Sequence, residues 1–125
     1  MLHLTATVEA FKVHREKMND RISNDHAHLG IKRFSNRDTK GYQDGALDKS
    51  TKELLGLVAS MVLRCSDCID YHLIEAVKCG VSDAELYDAM NIALVVGRSI
   101  VIPHLRHAIE TLDILRGNED TMDLA

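Results

Sequence analysis

The sequence predicts an all-α protein, a compact bundle of about five or six helices. Apolar residues recur every three or four positions in several segments, as on the buried face of a helix, and no segment shows the period of two that is typical of a strand. Helix start and stop signals separate these segments. The centre of the bundle is predicted to be a helical hairpin whose second helix begins at a Cys-x-x-Cys pair, Cys65 and Cys68.

The chain of 125 residues is expected to form a single domain, 1–125, because its length is ordinary for one domain. An N-terminal helix and linker (1–45) are expected to precede a core (46–116) and an acidic tail (117–125). A net charge of -4 argues against a general nucleic-acid binder. With no signal-peptide pattern, no stretch of 18 apolar residues and an odd number of cysteines, we expect a cytoplasmic protein without a membrane span.

The N-terminal part is predicted to contain one long helix and a looser segment. Apolar residues at helical spacing predict the first helix over 5–28, and glycines in 29–47 predict a linker with at most one short helix. Three histidines of this part are interpreted as surface residues: His14, His26 and His28. Four basic residues are interpreted as a solvated face or as a contact for an acidic partner: Lys32, Arg33, Arg37 and Lys40.

The hairpin is predicted to consist of a buried helix followed by the helix that carries the cysteines. The first is expected to begin near Asp48 or Ser50, where Ser50 and Glu53 fit a capping box. Gly56 in its interior suggests the close approach of another backbone. The second is expected to run from the cysteine pair to Gly80, a typical C-terminal cap, with Cys79 as a core thiol.

Two further helices are predicted after the hairpin. Ser82 and Glu85 form a second capping box, and Gly97 interrupts the helix that follows. A last helix begins after Ser99 with Pro103 in its first turn, where proline is tolerated. Its buried seam is predicted to be Val101, Leu105, Ala108, Leu112 and Leu115, with His104 and His107 on the other side.

The apolar run from Ile92 to Ile102 is long for a small bundle. Of its eleven residues, only Gly97, Arg98 and Ser99 are not apolar. A contiguous apolar surface of this kind marks an interaction site. We therefore expect a homo-oligomer.

The chemistry of the chain is expected at Cys65, Cys68 and His72. On a helix, Cys65 and Cys68 are i,i+3 neighbours within disulfide reach, and His72 lies one turn beyond Cys68 on the same face. A helix N-terminus favours the thiolate form of a cysteine. A thiol of this kind with a base nearby is an activated nucleophile, and a Cys-x-x-Cys pair is typical of dithiol–disulfide chemistry.

Two other interpretations of these residues stay open. Cys65, Cys68 and His72 supply three zinc-type ligands, for which His104 is a possible fourth. The pair could also be two inert buried thiols, and His72 a core histidine bonded to a backbone carbonyl. We favour redox chemistry and expect no metal or cofactor.

From about Ala46 to Ala108 the chain resembles the superfamily of carboxymuconolactone decarboxylases and AhpD-like alkylhydroperoxidases. The family motif is a glutamate, eleven residues, CxxC, three residues and a histidine, and Glu53, Cys65, Cys68 and His72 match it. The resemblance implies an all-helical fold, homo-trimers or hexamers, and peroxide defence.

The resemblance also implies a role for each of the four catalytic residues. Cys68 would attack peroxide, Cys65 would resolve the sulfenic acid as a disulfide, and His72 with Glu53 would relay the proton. Glu53 precedes Cys65 by twelve residues, so tertiary or subunit packing must bring it to His72. Where the best-known alkylhydroperoxidases have a histidine, this chain has Asp67, and a carboxylate there raises the pKa of a thiol.

Three functions compete on this basis. The first is a thiol-dependent peroxidase or disulfide oxidoreductase that takes electrons from an external dithiol, such as a lipoyl group, or from a redox protein. The second is a γ-carboxymuconolactone decarboxylase, against which the cysteine pair counts because that lactone chemistry does not need it. The third is a redox-sensing oligomer without enzymatic activity, in which the pair only locks the hairpin.

Overall fold

A computed structural model describes residues 4–25 and 28–117. Within these ranges the chain forms helices and no strand, which confirms the all-α prediction. The six α-helices are α1 (Leu4–Asp20), α2 (Leu29–Gly41), α3 (Lys49–Val62), α4 (Ser66–Lys78), α5 (Asp83–Gly97) and α6 (Ile102–Leu115). A π-helical turn, Arg21–Asp25, follows α1, and a 3-10 turn, Arg98–Val101, joins α5 to α6.

The chain divides into two compact units, residues 1–43 and 44–125. The division lies next to the expected boundary between linker and core at 45/46, while the grouping of both units into one domain stays a prediction. His26, part of the predicted first helix and all of the tail beyond Gly117 lie outside the described residues.

The first unit contains α1 and α2. Residues 29–47 were expected to be a linker with at most one short helix, and they contain one helix, α2, which is longer than expected at 13 residues. His28 caps it, since its Nδ1 accepts hydrogen bonds from the backbone N–H groups of Gly30 (3.1 Å) and Ile31 (3.4 Å). Such a cap satisfies N–H groups that have no partner within the helix. The four basic side chains predicted in this segment are exposed on α2, as is His14 on α1.

The second unit is a helical hairpin, α3 and α4, packed with α5 and α6. Each helix contributes one apolar stripe to a common core, as the spacing of the sequence predicts. The buried side chains are Leu57, Met61, Ile69, Leu73, Ala76, Val81, Leu86, Met90, Ala93, Val101, Ala108 and Leu112. This core fixes α3 against α4 and thereby positions the site.

The capping box predicted at Ser50 and Glu53 was wrong. Asp48 caps α3 instead, because its Oδ1 accepts hydrogen bonds from the backbone N–H of Thr51 (2.8 Å) and from the hydroxyl of Ser50 (3.1 Å). The hydrogen bond from Thr51 lowers the pKa of Asp48, which stays ionised at the positive end of the helix. Glu53 therefore does not cap the helix, and its side chain is buried.

The turn between α3 and α4 places the cysteine pair at a helix start. Arg64 takes the left-handed conformation (φ 60°) between the two helices. Cys65 is the N-cap of α4, and Gly80 follows the helix with φ 82°. The predicted bounds of this helix are confirmed, but Cys79 is exposed rather than buried. It lies beyond the last turn of α4, past the stripe that reaches the core.

The start of α5 confirms the capping box of Ser82 and Glu85. The Glu85 backbone N–H donates to Ser82 Oγ (3.2 Å), and the Ser82 backbone N–H donates to Glu85 Oε1 (3.0 Å). Helix α5 ends at Gly97, and the next residue, Arg98, has a left-handed conformation with φ 66°. Pro103 stands in the first turn of α6, as expected.

By length and composition alone, the segment from Asp83 to Leu115 passes the test for a membrane-crossing helix, with a mean hydropathy of 1.3 over its most apolar window. The left-handed Arg98 interrupts this segment, and both of its helices supply core side chains. It is weak support for a membrane, because helices of a soluble protein pass the same test.

Candidate active site

Cys65 and Cys68 are joined in a disulfide at the first turn of α4. Their Cα atoms lie 5.3 Å apart, within the range that a disulfide bridges. The backbone N–H of Cys68 donates to the Sγ atom of Cys65 (3.3 Å). Cys65 is half-buried, whereas Cys68 is exposed. Cys68 is therefore the more accessible residue of the two.

His72 and Glu53 form a buried pair across the hairpin. Nδ1 of His72 lies 2.8 Å from Oε1 of Glu53, which is fully buried. His72 is 8% exposed, on the face of α4 that also carries Cys68 one turn earlier. The packing of α3 against α4 within one chain provides the contact that the spacing of Glu53 and His72 in sequence leaves undecided.

Lys49, on the same helix as Glu53, is a second partner of the Glu53 carboxylate. Its ammonium group donates to the second carboxylate oxygen, Oε2, at 2.8 Å. Burial raises the pKa of Glu53, but the hydrogen bonds from His72 and Lys49 together with the charge of Lys49 outweigh it, so the pKa lies below its ordinary value. The hydrogen bond to Glu53 in turn raises the pKa of Lys49. At neutral pH the carboxylate is ionised and the amine is protonated.

The ionised carboxylate determines which nitrogen of the neutral His72 ring carries the hydrogen. A carboxylate only accepts hydrogen bonds, so Nδ1–H donates to Glu53 and the lone pair lies on Nε2. A ring held in this way can accept a proton at Nε2 while the carboxylate stabilises the imidazolium that forms. This is the arrangement of a general base with an orienting carboxylate.

Gly56 provides the surface on which the His72 ring lies. A Cβ atom at this position would come within 2.6 Å of the ring's Cε1 and 2.8 Å of both ring nitrogens. The sequence indicated the close approach of a backbone, but the group that approaches is an imidazole ring. Glycine is therefore required here by space, although it weakens the helix.

A second histidine–carboxylate pair joins α4 to α6. Nε2 of His107 lies 2.8 Å from Oδ1 of Asp70, and the Thr111 hydroxyl donates to the same oxygen at 2.8 Å. The hydrogen bond to Asp70 raises the pKa of His107 against the opposing effect of burial. From the sequence, His107 was expected on the side of α6 away from the buried seam, and this pair was not predicted.

Among the residues that the structure describes, no three side chains of His, Cys, Asp or Glu are arranged to hold a metal ion. The zinc interpretation, with His104 as the fourth ligand, therefore gains no support.

The sequence profile of the Carboxymuconolactone decarboxylase family matches residues 30–111, which is more than half of the chain. The protein belongs to this family.

Relatives of known structure extend the match. A carboxymuconolactone decarboxylase family protein of Thermotoga maritima, suggested to be involved in the antioxidative response, is 52% identical, with a TM-score of 0.82 over 90% of this chain and 94% of that one. A family protein of Legionella pneumophila is 23% identical, with a TM-score of 0.77 over 86% of this chain and 95% of that one, and shows the fold alone. An uncharacterized protein of the Paracoccus denitrificans cox locus is 30% identical over 61% of this chain and 68% of its own length.

In this member of the carboxymuconolactone decarboxylase family, the four predicted site residues form two pairs in the α3–α4 hairpin. Cys65 and Cys68 are bonded, and Glu53 and His72 are hydrogen-bonded. Lys49 was not predicted as part of the site, although its i,i+4 spacing from Glu53 is typical of an ion pair on a helix. Asp70 and Thr111 were not predicted either, because the sequence carries no local signal for them.

Proposed function

We propose that this protein is a thiol-dependent peroxidase that reduces a peroxide through the Cys65–Cys68 dithiol. The observation that carries the proposal is a disulfide at the start of α4 with the buried His72–Glu53 pair one turn further along the same helix. A suggested antioxidative role of the Thermotoga maritima relative supports the same class of reaction.

The first half of the proposed cycle takes place at Cys68. His72 accepts the thiol proton at Nε2, and the thiolate attacks one oxygen of the peroxide ROOH. A sulfur–oxygen bond forms, the oxygen–oxygen bond breaks, and the leaving alkoxide takes the proton back from the imidazolium as ROH. Cys68 is left as a sulfenic acid, the first and reversible step of cysteine oxidation. Exposure of Cys68 suits it for this role.

The second half closes and then reopens the disulfide. The Cys65 sulfur attacks the sulfenic acid, the new disulfide forms, and the hydroxyl group leaves as water with the Cys65 proton. An external dithiol then supplies two electrons and two protons. Its attack on the sulfur of Cys68, the exposed residue of the pair, would release Cys65 as a thiolate, which the Cys68 N–H is placed to stabilise. A stabilised leaving thiolate departs faster.

Peroxide consumption with a dithiol donor, together with thiol counting, tests the proposal. The reduced chain has three cysteines, and we expect peroxide to remove two thiols and leave Cys79. Cys65→Ser should stop turnover and accumulate a sulfenic acid, and Cys68→Ser should abolish turnover. Cys79→Ser, a matched change at an exposed cysteine, should retain wild-type turnover.

Three outcomes would contradict the peroxidase. Unchanged peroxide turnover in Cys68→Ser would exclude Cys68 as the nucleophile. Decarboxylation of the γ-lactone by the Cys65→Ser/Cys68→Ser double variant would instead favour the decarboxylase. Disulfide formation without turnover, whatever the dithiol donor, would favour a redox sensor.

We also propose that the protein works as a homo-oligomer, a trimer or hexamer as the family resemblance implies. Several large apolar side chains of α5 and the 3-10 turn are exposed: Ile92, Val95, Val96 and Ile100. Exposed apolar surface of this kind is typical of an interface. Light scattering at micromolar concentration should give a trimeric or hexameric mass that Val95→Glu lowers, and a wild-type monomer would contradict the proposal.

A further inference from the structure

We propose that Lys49 is a positioning residue for the reaction of Cys68. The positive charge of Lys49 keeps Nε2 of His72 a proton acceptor at neutral pH. This inference rests on the proposed function and deepens it, since Lys49 acts on His72 through Glu53 and need not touch the peroxide. Lys49 lies outside the glutamate–CxxC–histidine motif by which the chain resembles its family.

The geometry connects Lys49 to His72 through one carboxylate. Lys49 Nζ contacts Oε2 of Glu53 at 2.8 Å, while His72 Nδ1 contacts Oε1 at 2.8 Å. Lys49 is the first residue of α3, and its backbone N–H donates to Asp44 Oδ1 at 2.7 Å. The start of the helix thus holds the stem of Lys49 one turn before Glu53.

A fully buried carboxylate needs this second partner. Burial disfavours its charge, and removing one partner of a buried charged group leaves that charge uncompensated. With Lys49 present, Glu53 is balanced by a permanent cation and His72 can remain neutral. Without Lys49, the Glu53–His72 pair would take up a proton from solvent at higher pH.

Either destination of that proton would remove the lone pair from Nε2 of His72. If the ring takes it, both nitrogens carry hydrogen. If Glu53 takes it, the neutral carboxyl group donates to Nδ1, and the hydrogen of the ring moves to Nε2. In both cases Nε2 no longer accepts the thiol proton of Cys68. The charge of Lys49 prevents both outcomes.

Other charged or titratable groups surround the same site. Glu75 of α4 contacts Lys49 Nζ at 3.7 Å and Lys78 Nζ at 3.1 Å, and the ring of Tyr71 lies edge-on to His72. Of these groups, Lys49 is the cation bound to the carboxylate that orients His72.

The test compares Lys49→Met, which keeps an unbranched stem, and Lys49→Gln, which keeps a hydrogen-bond donor, with Lys49→Arg, which keeps the charge. Lys78→Met is the matched control, because it removes a lysine that contacts Glu75 but not Glu53. Ring carbon shifts of His72 are followed by NMR against pH in the oxidised protein, where Cys65 and Cys68 do not titrate. The signals are assigned by their loss in His72→Gln, and circular dichroism checks each variant's fold.

In the wild type, Lys49→Arg and Lys78→Met, we expect the tautomer with hydrogen on Nδ1 at neutral pH. In Lys49→Met and Lys49→Gln, hydrogen should appear on Nε2 at a higher pH than in the wild type. In the same two variants, the acidic limb of the pH profile of kcat/KM for peroxide should also move to higher pH. Activity at pH 6 should fall on the order of tenfold and recover at higher pH.

The inference is overturned if Lys49→Met or Lys49→Gln titrates like the wild type, or if Lys49→Arg shifts as far as Lys49→Met. Failure of the proposed function looks different, because the NMR titration needs no peroxide turnover. A wild type without peroxidase activity but with a Lys49-dependent titration of His72 would reject the peroxidase and retain the role of Lys49.

Discussion

The two histidine–carboxylate pairs of α4 have the same nitrogen–oxygen distance, 2.8 Å, but different surroundings. His72 pairs through Nδ1 with a fully buried Glu53 that also binds Lys49, whereas the half-exposed His107 pairs through Nε2 with Asp70, which also binds the Thr111 hydroxyl. Asp70 and His72 are two positions apart, or about 200° around the helix. The pairs therefore lie on opposite faces of α4.

This difference in surroundings is the basis of the different roles that we propose for the two pairs. The carboxylate beside His72 is also bound by the ammonium group of Lys49, so a cation other than the ring balances its charge. The carboxylate beside His107 has a neutral hydroxyl as its other partner, and its hydrogen bond raises the pKa of His107 toward the charged form. We infer that the first pair serves the thiol chemistry and that the second joins α4 to α6.

The largest expected effect is on peroxide turnover when each carboxylate is replaced by its amide. Glu53→Gln should lower kcat/KM by about 100-fold or more, because an amide can donate to Nδ1 and move the ring hydrogen to Nε2. Asp70→Asn, the matched change on the other face of α4, should stay within a few-fold of the wild type. Equal losses in the two variants would remove the distinction between the pairs.

Gly56→Ala should displace the His72 ring without changing its chemistry. The added methyl group gains up to about 1 kcal/mol of helix propensity but overpacks a buried contact, which costs roughly 1–3 kcal/mol. We expect a lower midpoint of urea unfolding and a fall in kcat/KM. Gly41→Ala is the control, since nothing lies within 4 Å of the added atom. A fully active Gly56→Ala protein would show that activity does not depend on the contact between Gly56 and the His72 ring.

The pair of His107 and Asp70 should contribute to stability in a pH-dependent way. Because folding raises the pKa of His107, the contribution is fully present below the unfolded value of about 6.5 and is lost as pH rises through the folded value. His107→Gln should therefore cost on the order of 1 kcal/mol near pH 5.5, where solvent already weakens a half-exposed pair, and less near pH 9. Urea unfolding at both pH values measures this cost, and a cost that does not change with pH would contradict the assignment.

Thr111→Val should give the smallest effect. It removes the hydroxyl donor to Asp70 while keeping the shape of the side chain, and one hydrogen bond contributes about 1 kcal/mol. His107 keeps its partner, so the pH dependence of stability should persist. A Thr111→Val protein without that dependence would mean that the hydroxyl, rather than the ion pair, holds α4 to α6.

The sequence by itself determined the parts of this protein that depend on local geometry. Helical spacing and the capping box of Ser82 and Glu85 were sufficient to place α5, and Gly80 marked the end of α4. The sequence also placed Cys65, Cys68 and His72 on one helix face, because residues three and four apart on a helix are always neighbours. These predictions needed no knowledge of how the helices pack.

Only the tertiary structure decided which distant groups meet. Glu53 and His72 are 19 positions apart, and Asp70 and His107 are 37 apart, so no helical period connects them. The competition between Asp48 and Ser50 for the start of α3, the ring against Gly56 and the exposure of Cys79 likewise depended on packing. Burial is the physical reason: a buried carboxylate is stable only where the fold brings donors to it, and the sequence does not state which helices touch.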